Sequence, residues 1–272
     1  MTSRAEQSLG YVILGVFSLL ALAPIVGILF TSLQDPDGIA SFGALNGLHF
    51  ENFKTAWVEG NFGAYLKSSI IVSVSVVVVA TLFSIMAGYA FGLMRFRGST
   101  VLFYLFLLGL MVPTEAIIVP LYYDLRDLNL TNTYWALILP QIATSVAFGT
   151  YWMRTYFRTV PRSLIEAARL DGASSWFTLW RVLLPLARPA VLTMTVLLFM
   201  WTWNEFLLAL VMVSDESLRT APLGLSFFQG RNTSDLSLMA AASVIVALPV
   251  VILYVFLQRH FIRGMLAGAV KG

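Results

Sequence analysis

Two carboxylates, Glu115 and Glu205, stand inside long apolar runs. A charge held in a membrane interior costs about 2.5–3.5 kcal/mol for comparable residues, so function is the default expectation there. Trp201, Asn204 and Glu205 are spaced to share one helix face. A Trp ring can stack on an apolar face of a ligand, while the amide and the carboxylate answer its hydroxyls. The four residues Glu115, Trp201, Asn204 and Glu205 are therefore candidate substrate contacts. A plainer reading stays open: each acid bonds a neighbouring helix, and Trp203 anchors the membrane boundary. Other chemistry is excluded. Cys is absent, and His49 and His260 lie too far apart in sequence for a metal spacing. Lys54, Lys67 and Lys271, the only lysines, sit in no phosphate-loop motif, so this chain does not hydrolyse ATP by that route. No catalytic residue, metal ligand or bound cofactor is expected.

A second constellation lies at residues 161–185. Pro161 suits a first helical turn, and Ser163 with Glu166 matches a capping box. Leu164, Ile165 and Ala168 fall on one side, and Arg162, Glu166 and Arg169 stay polar. Gly172 suits a left-handed helix end. A second helix is expected from about Ser174 to Leu184, ended by Pro185. Read plainly, Glu166 caps a helix and Gly172 stops one. That reading does not explain why a stiff helix, flanked by arginines, should project into solvent. Such a helix suits the docking of a soluble partner.

The elements that position these residues follow from composition. Of 272 residues, 58% are hydrophobic and 11% charged, and the mean hydropathy is +0.82. A soluble domain is about 25% charged, so a soluble enzyme or a nucleic-acid binder is excluded. The net charge of +3 makes no basic face. A spanning helix needs about 20 apolar residues. Six runs qualify: 11–33, 65–94, 101–122, 133–153, 189–213 and 236–258. The first is too long for a cleaved signal peptide, and runs such as 74–79 lack the alternation of a β-barrel. With the N-terminus cytoplasmic, twelve of the 17 bases lie inside and five outside, which sets both termini in the cytoplasm. The expected fold is thus an all-α integral membrane protein with six transmembrane helices. It forms one membrane domain over 1–272: a first helix and outer loop (1–64), core helices (65–258), a cytoplasmic loop with a short helix between spans four and five (154–188), and a cytoplasmic tail (259–272). The outer loop holds a weakly amphipathic stretch from Phe50 to Trp57. Pro24, Pro113, Pro120, Pro140 and Pro249 fall in or near spans, as ordinary kinks or as gating points.

The loop residues resemble the cytoplasmic motif of permease subunits of binding-protein-dependent ABC importers. That motif reads Glu-Ala-Ala, three residues, Gly, nine residues, Ile, one residue, Leu-Pro. Here Glu166-Ala167-Ala168, Gly172, Val182 and Leu184-Pro185 keep every spacing, with Val182 at the Ile position. The resemblance covers nearly the whole chain and is to the carbohydrate group, similar to the smaller maltose-importer permease subunit. Further stretches that fit are Ala87-Gly88-Tyr89-Ala90-Phe91, Met111-Val112-Pro113, Asn132-Thr133-Tyr134-Trp135 and Trp203-Asn204-Glu205-Phe206. Lys67-Ser68-Ser69 departs, since the family more often has Asn before Ser.

This resemblance implies a coupling helix whose Glu166, Ala167, Ala168, Asp171, Gly172 and Pro185 face an ATPase. It implies a tail (Gly268, Val270, Lys271, Gly272) that reaches between ATPase subunits. The implied partners are a second, different permease, two ATPases that bind ATP and Mg, and an extracytoplasmic sugar-binding protein. The place is a bacterial or archaeal cytoplasmic membrane. The expected function is import of a sugar; the alternatives are glycerol phosphate or a polyol as cargo, a stand-alone secondary transporter, or a membrane enzyme.

Overall fold

The computed structural model describes residues 4–35, 47–231 and 235–269, and beyond residue 258 the backbone alone. All regular structure among the described residues is helical. In chain order the helices are α1 (Arg4–Thr31), α2 (Glu51–Glu59), α3 (Phe62–Leu93), α4 (Ser99–Met111), α5 (Thr114–Asp127), α6 (Tyr134–Phe157), α7 (Arg162–Leu170) and α8 (Ser175–Phe177). A π-helical segment (Thr178–Leu183) then leads into α9 (Leu184–Trp203). α10 (Leu207–Met212), α11 (Ala221–Arg231) and α12 (Leu236–Ala269) follow.

Four stretches among the described residues are long and apolar enough to cross a membrane: Glu6–Thr31, Phe62–Leu93, Ser175–Trp203 and Leu236–Gln258. A fifth exists if α4 and α5 count as one broken span. Residues 101–122 are not one straight helix, because α4 and α5 meet at 97°. The cause is Pro113, which has no N–H to donate and pushes Val112 to extended geometry (φ −79°, ψ 116°). α6 falls short of the apolar criterion. It carries Gln141, Thr144, Ser145, Thr150 and Arg154, which a helix enclosed by protein can hold.

The chain divides into two compact units, residues 1–63 with 224–248 and residues 64–223 with 249–272. In the first, α1 buries none of its apolar span. Its C-terminal end is pinned by Asn52 on α2, whose buried amide donates to the Ser32 and Gln34 carbonyls at 3.1 and 2.8 Å. Phe62 and Phe228 meet edge to face at 5.7 Å. The amphipathic stretch after Phe50 is α2, with Asn52 and Ala56 on its buried side.

The second unit holds the core. One apolar cluster gathers Val72, Leu137, Leu208, Met212 and Leu223; another gathers Tyr89, Met153, Phe157, Leu183, Met194 and Leu198. α3 is apolar all round, yet it has two faces. Ser68, Ser69, Val72, Ser73, Val76, Ala80, Ser84 and Gly88 are buried, and Ile70, Val74, Val78 and Leu82 are exposed. Small residues thus gather on the buried side, beside Val72 and Val76, and the exposed side carries only larger apolar ones, as close helix packing in a membrane requires. Gly88 lies so close to α6 that an added Cβ would stand 2.5 Å from the Met153 Cβ and 2.9 Å from the Arg154 nitrogen. Arg154 is held in place there. Its Nε donates to the Phe91 carbonyl at 3.2 Å, and its guanidinium carbon lies 3.8 Å from the centroid of the Phe103 ring.

Candidate functional site

The short helix expected after Pro161 is present as α7. It starts two residues earlier than the capping box required: Pro161 is the N-cap and makes no side-chain bond, so Ser163 lies inside the first turn and the box with Glu166 does not form. Glu166 is exposed and free of that duty. At the other end, Gly172 adopts φ +75°. Its N–H donates to the Arg169 carbonyl at 3.0 Å, and the Ala173 N–H donates to the Ala168 carbonyl at 2.9 Å. That pair of bonds is the Schellman motif, which stops a helix sharply. Ala168 is buried against the protein, while Arg162, Glu166, Ala167, Arg169 and Asp171 are exposed. Leu170 is 89% exposed, an apolar side chain left in solvent at the helix tip.

Beyond the turn, Ser174 caps the next helix by accepting from the Phe177 N–H at 3.2 Å. Pro185 does not end that helix. The helical path runs on to Trp203, because residues 178–183 widen into a π turn in which the Leu184 N–H reaches back to the Leu179 carbonyl. The wider turn absorbs the proline ring, which would otherwise meet the Arg181 carbonyl without a hydrogen to offer. Trp180, Val182 and Leu184 lie against the second cluster, so this stretch is rooted in the core. Ala168, Asp171, Gly172, Ala173, Ser174, Phe177 and Val182 line a hollow of about 530 Å³ between the two helices.

The candidate substrate residues are only partly brought together. α9 stops at Trp203, and residues 204–206 interrupt the path before α10. Glu205 sits in that break, and its Oε1 accepts from the Leu208 N–H at 2.8 Å, so it caps α10. Asn204 turns back and donates to the Met200 carbonyl at 2.8 Å. It does not join Trp201 and Glu205, which line a cleft of about 370 Å³ with Leu110, Gln141, Thr144, Ser145, Phe148 and Thr202. Glu115 lies in the exposed first turn of α5, outside this cleft. Trp203 is no interfacial anchor: it is 2% exposed and stacked on Phe199. Sequence reasoning missed Phe148, whose ring meets Trp201 edge to face at 4.7 Å. It also missed the α6 polar residues, whose only signal was polarity at positions 141, 144 and 145 of an apolar run. The tail positions Val270, Lys271 and Gly272 lie outside the described residues, and Gly268 lies on the α12 backbone.

Residues 80–267 match the family described as the binding-protein-dependent transport system inner membrane component. The chain belongs to this family. The permease is similar to the arabinooligosaccharides transport system permease protein AraQ of Halalkalibacterium halodurans, with 33% identity over 93% of this chain and 92% of that one. It is 30% identical to the maltodextrin transport system permease protein MalD of Streptococcus pneumoniae, over 99% and 97%. Among solved structures, a chain of a bacterial ABC transporter involved in import of the acidic polysaccharide alginate is 26% identical. The coverage there is 96% of this chain and 99% of that one, and the TM-score is 0.81. The permease is accordingly a membrane transport component and not a catalyst. Asn132, one of the residues that carried the resemblance, has a local role. Its Oδ1 accepts from the Ser214 and Asp215 N–H groups at 3.1 and 2.8 Å, which ties the α5–α6 turn to the loop after α10.

Proposed function

We propose that the permease is one of two different membrane subunits of an ATP-driven importer for a sugar that an extracytoplasmic binding protein delivers. The observation that carries this reading is α7: a short helix with a Schellman stop, rooted by Ala168 and the π turn, whose polar face is exposed among the described residues. Its occupant is an ATPase cleft, reached by Glu166, Ala167, Asp171 and Gly172. Two ATPases would carry the ATP and Mg. Their closure would push the α7 helices of the two permeases together and switch the bundle between inward and outward states, a rigid-body change driven by differential binding. Six crossings are proposed, with the broken α4–α5 pair as the third and α6 as the fourth, both termini in the cytoplasm. Residues 268–272 would reach between the ATPases. The sugars named for the two permease relatives support an oligosaccharide cargo.

The test is uptake of labelled oligosaccharide by cells that express the whole importer, with and without ATP depletion. Uptake should stop within the depletion time, and the ATPase should co-purify with the permease. Uptake that persists without ATP would favour a secondary transporter and overturn this reading.

A further inference from the structure

The cleft between α4, α6 and the α9–α10 break carries an inference of its own, resting on the sugar-importer reading. We propose that this subunit itself holds the cargo there, and that the site selects neutral oligosaccharides against acidic ones. The cleft offers two kinds of surface. Trp201 is 52% exposed, so one face of its ring is open, and Phe148 fixes its tilt by an edge contact at 4.7 Å and 75°. That ring presents the apolar platform on which a sugar's CH face stacks. Polar groups stand around it. Glu205 uses Oε1 for the Leu208 N–H, which leaves Oε2 to accept a hydroxyl. Gln141 spends its amide N–H on the Leu137 carbonyl and keeps its oxygen free to accept. Thr144 is exposed at the rim.

Charge decides the class of sugar. Among the residues that line the cleft, Glu205 is the sole ionisable one, and no Lys, Arg or His balances it. A uronate carboxylate brought beside Glu205 in a low-dielectric site would meet unscreened repulsion. A neutral sugar brings hydroxyls that donate to it instead. The volume of about 370 Å³ suits one or two sugar rings and not a long chain.

Because the chain has no Cys, a single Thr144→Cys reports on the cleft in the assembled importer. Its rate of maleimide labelling is measured with maltotriose, cellotriose, xylotriose, arabinotriose, diacetylchitobiose or trimannuronate, beside uptake of the same sugars by the unmutated importer. The expected result is at least threefold slowing by a neutral oligosaccharide that is taken up, and none by trimannuronate. Adding Trp201→Ala or Glu205→Gln should abolish the slowing. Trimannuronate slowing the label as well as any neutral sugar does would overturn the selectivity. Uptake of a neutral sugar with no slowing would overturn the cleft and leave the importer reading intact. Failure of the cysteine to label at all would show that the second permease covers this face, and would overturn the site. No uptake of any of the six would overturn the sugar reading and the cleft together.

Discussion

At Gly172 the backbone conformation and the proposed contact make different demands, and one substitution separates them. Gly172→Ala places a Cβ where nothing lies within 4 Å among the described residues, so the cost there is the left-handed φ, about 1 kcal/mol. That cost should leave membrane levels normal. In an ATPase cleft the same methyl overpacks an interface, which typically costs ~1–3 kcal/mol. We expect weakened ATPase retention on co-purification and severe loss of uptake; full retention with near-normal uptake would reduce Gly172 to a helix stop. Glu205→Gln is the matching test in the cleft. A glutamine oxygen still accepts from the Leu208 N–H, so the α10 cap survives and the charge alone is lost. Neutral-sugar uptake should fall about tenfold or more, the scale of losing one hydrogen bond to a charged group, and unchanged kinetics at normal expression would remove Glu205 from the site. Gly172 was legible in the sequence because a positive φ has few tenants. The capping box was not, because Pro161 competes for the same helix start and takes it.

Among the elements, the ends of helices were readable and their breaks were not. Thr133 and Ser174 start their helices as their residue types suggest, each accepting a backbone N–H. Pro113 and Pro185 look alike in sequence and act oppositely: one splits a span at 97°, the other is absorbed by a π turn. The difference is tertiary. Leu179 and Leu183 root the helix before Pro185 in the core, whereas Met111 and Val112 before Pro113 lie exposed. Which side of α3 faces protein was written in its small residues, Ser84 and Gly88 included. A prediction belongs to that contact. Gly88→Ala drives a Cβ into the Met153 Cβ and the Arg154 backbone, which cannot swing away, and should destabilise by ~1–3 kcal/mol. Gly109→Ala, in a helix with nothing within 4 Å of the new methyl, should be neutral or stabilising by up to about 1 kcal/mol. Thermal unfolding in detergent compares them; equal melting temperatures would show that α3 and α6 do not meet as closely as described.

For the whole molecule, hydropathy and charge answer different questions. Hydropathy asks whether a segment tolerates lipid, which α1 and α3 do along their length, whereas the polar residues at 141–154 of α6 need protein on one side. Base asymmetry asks which side stays in the cytoplasm, and whether α6 crosses decides on which side the N-terminus then falls. Without a crossing there, α7 with Arg162 and Arg169 would share a side with the loop that contains α2 and Lys54. The bases would still divide twelve to five, but with the N-terminus outside, so the positive-inside bias is the same for five crossings and six, and the side of Lys54 relative to Arg169 separates them. We therefore expect Lys54→Cys, exposed on α2, to react in intact cells with an impermeant maleimide, and Arg169→Cys, exposed on α7, to react only after permeabilisation. Each is the chain's single cysteine in its variant, so the signal has one source. Reaction of both in intact cells would place α7 outside, remove α6 from the set of crossings, and leave no route by which a cytoplasmic ATPase could drive this bundle.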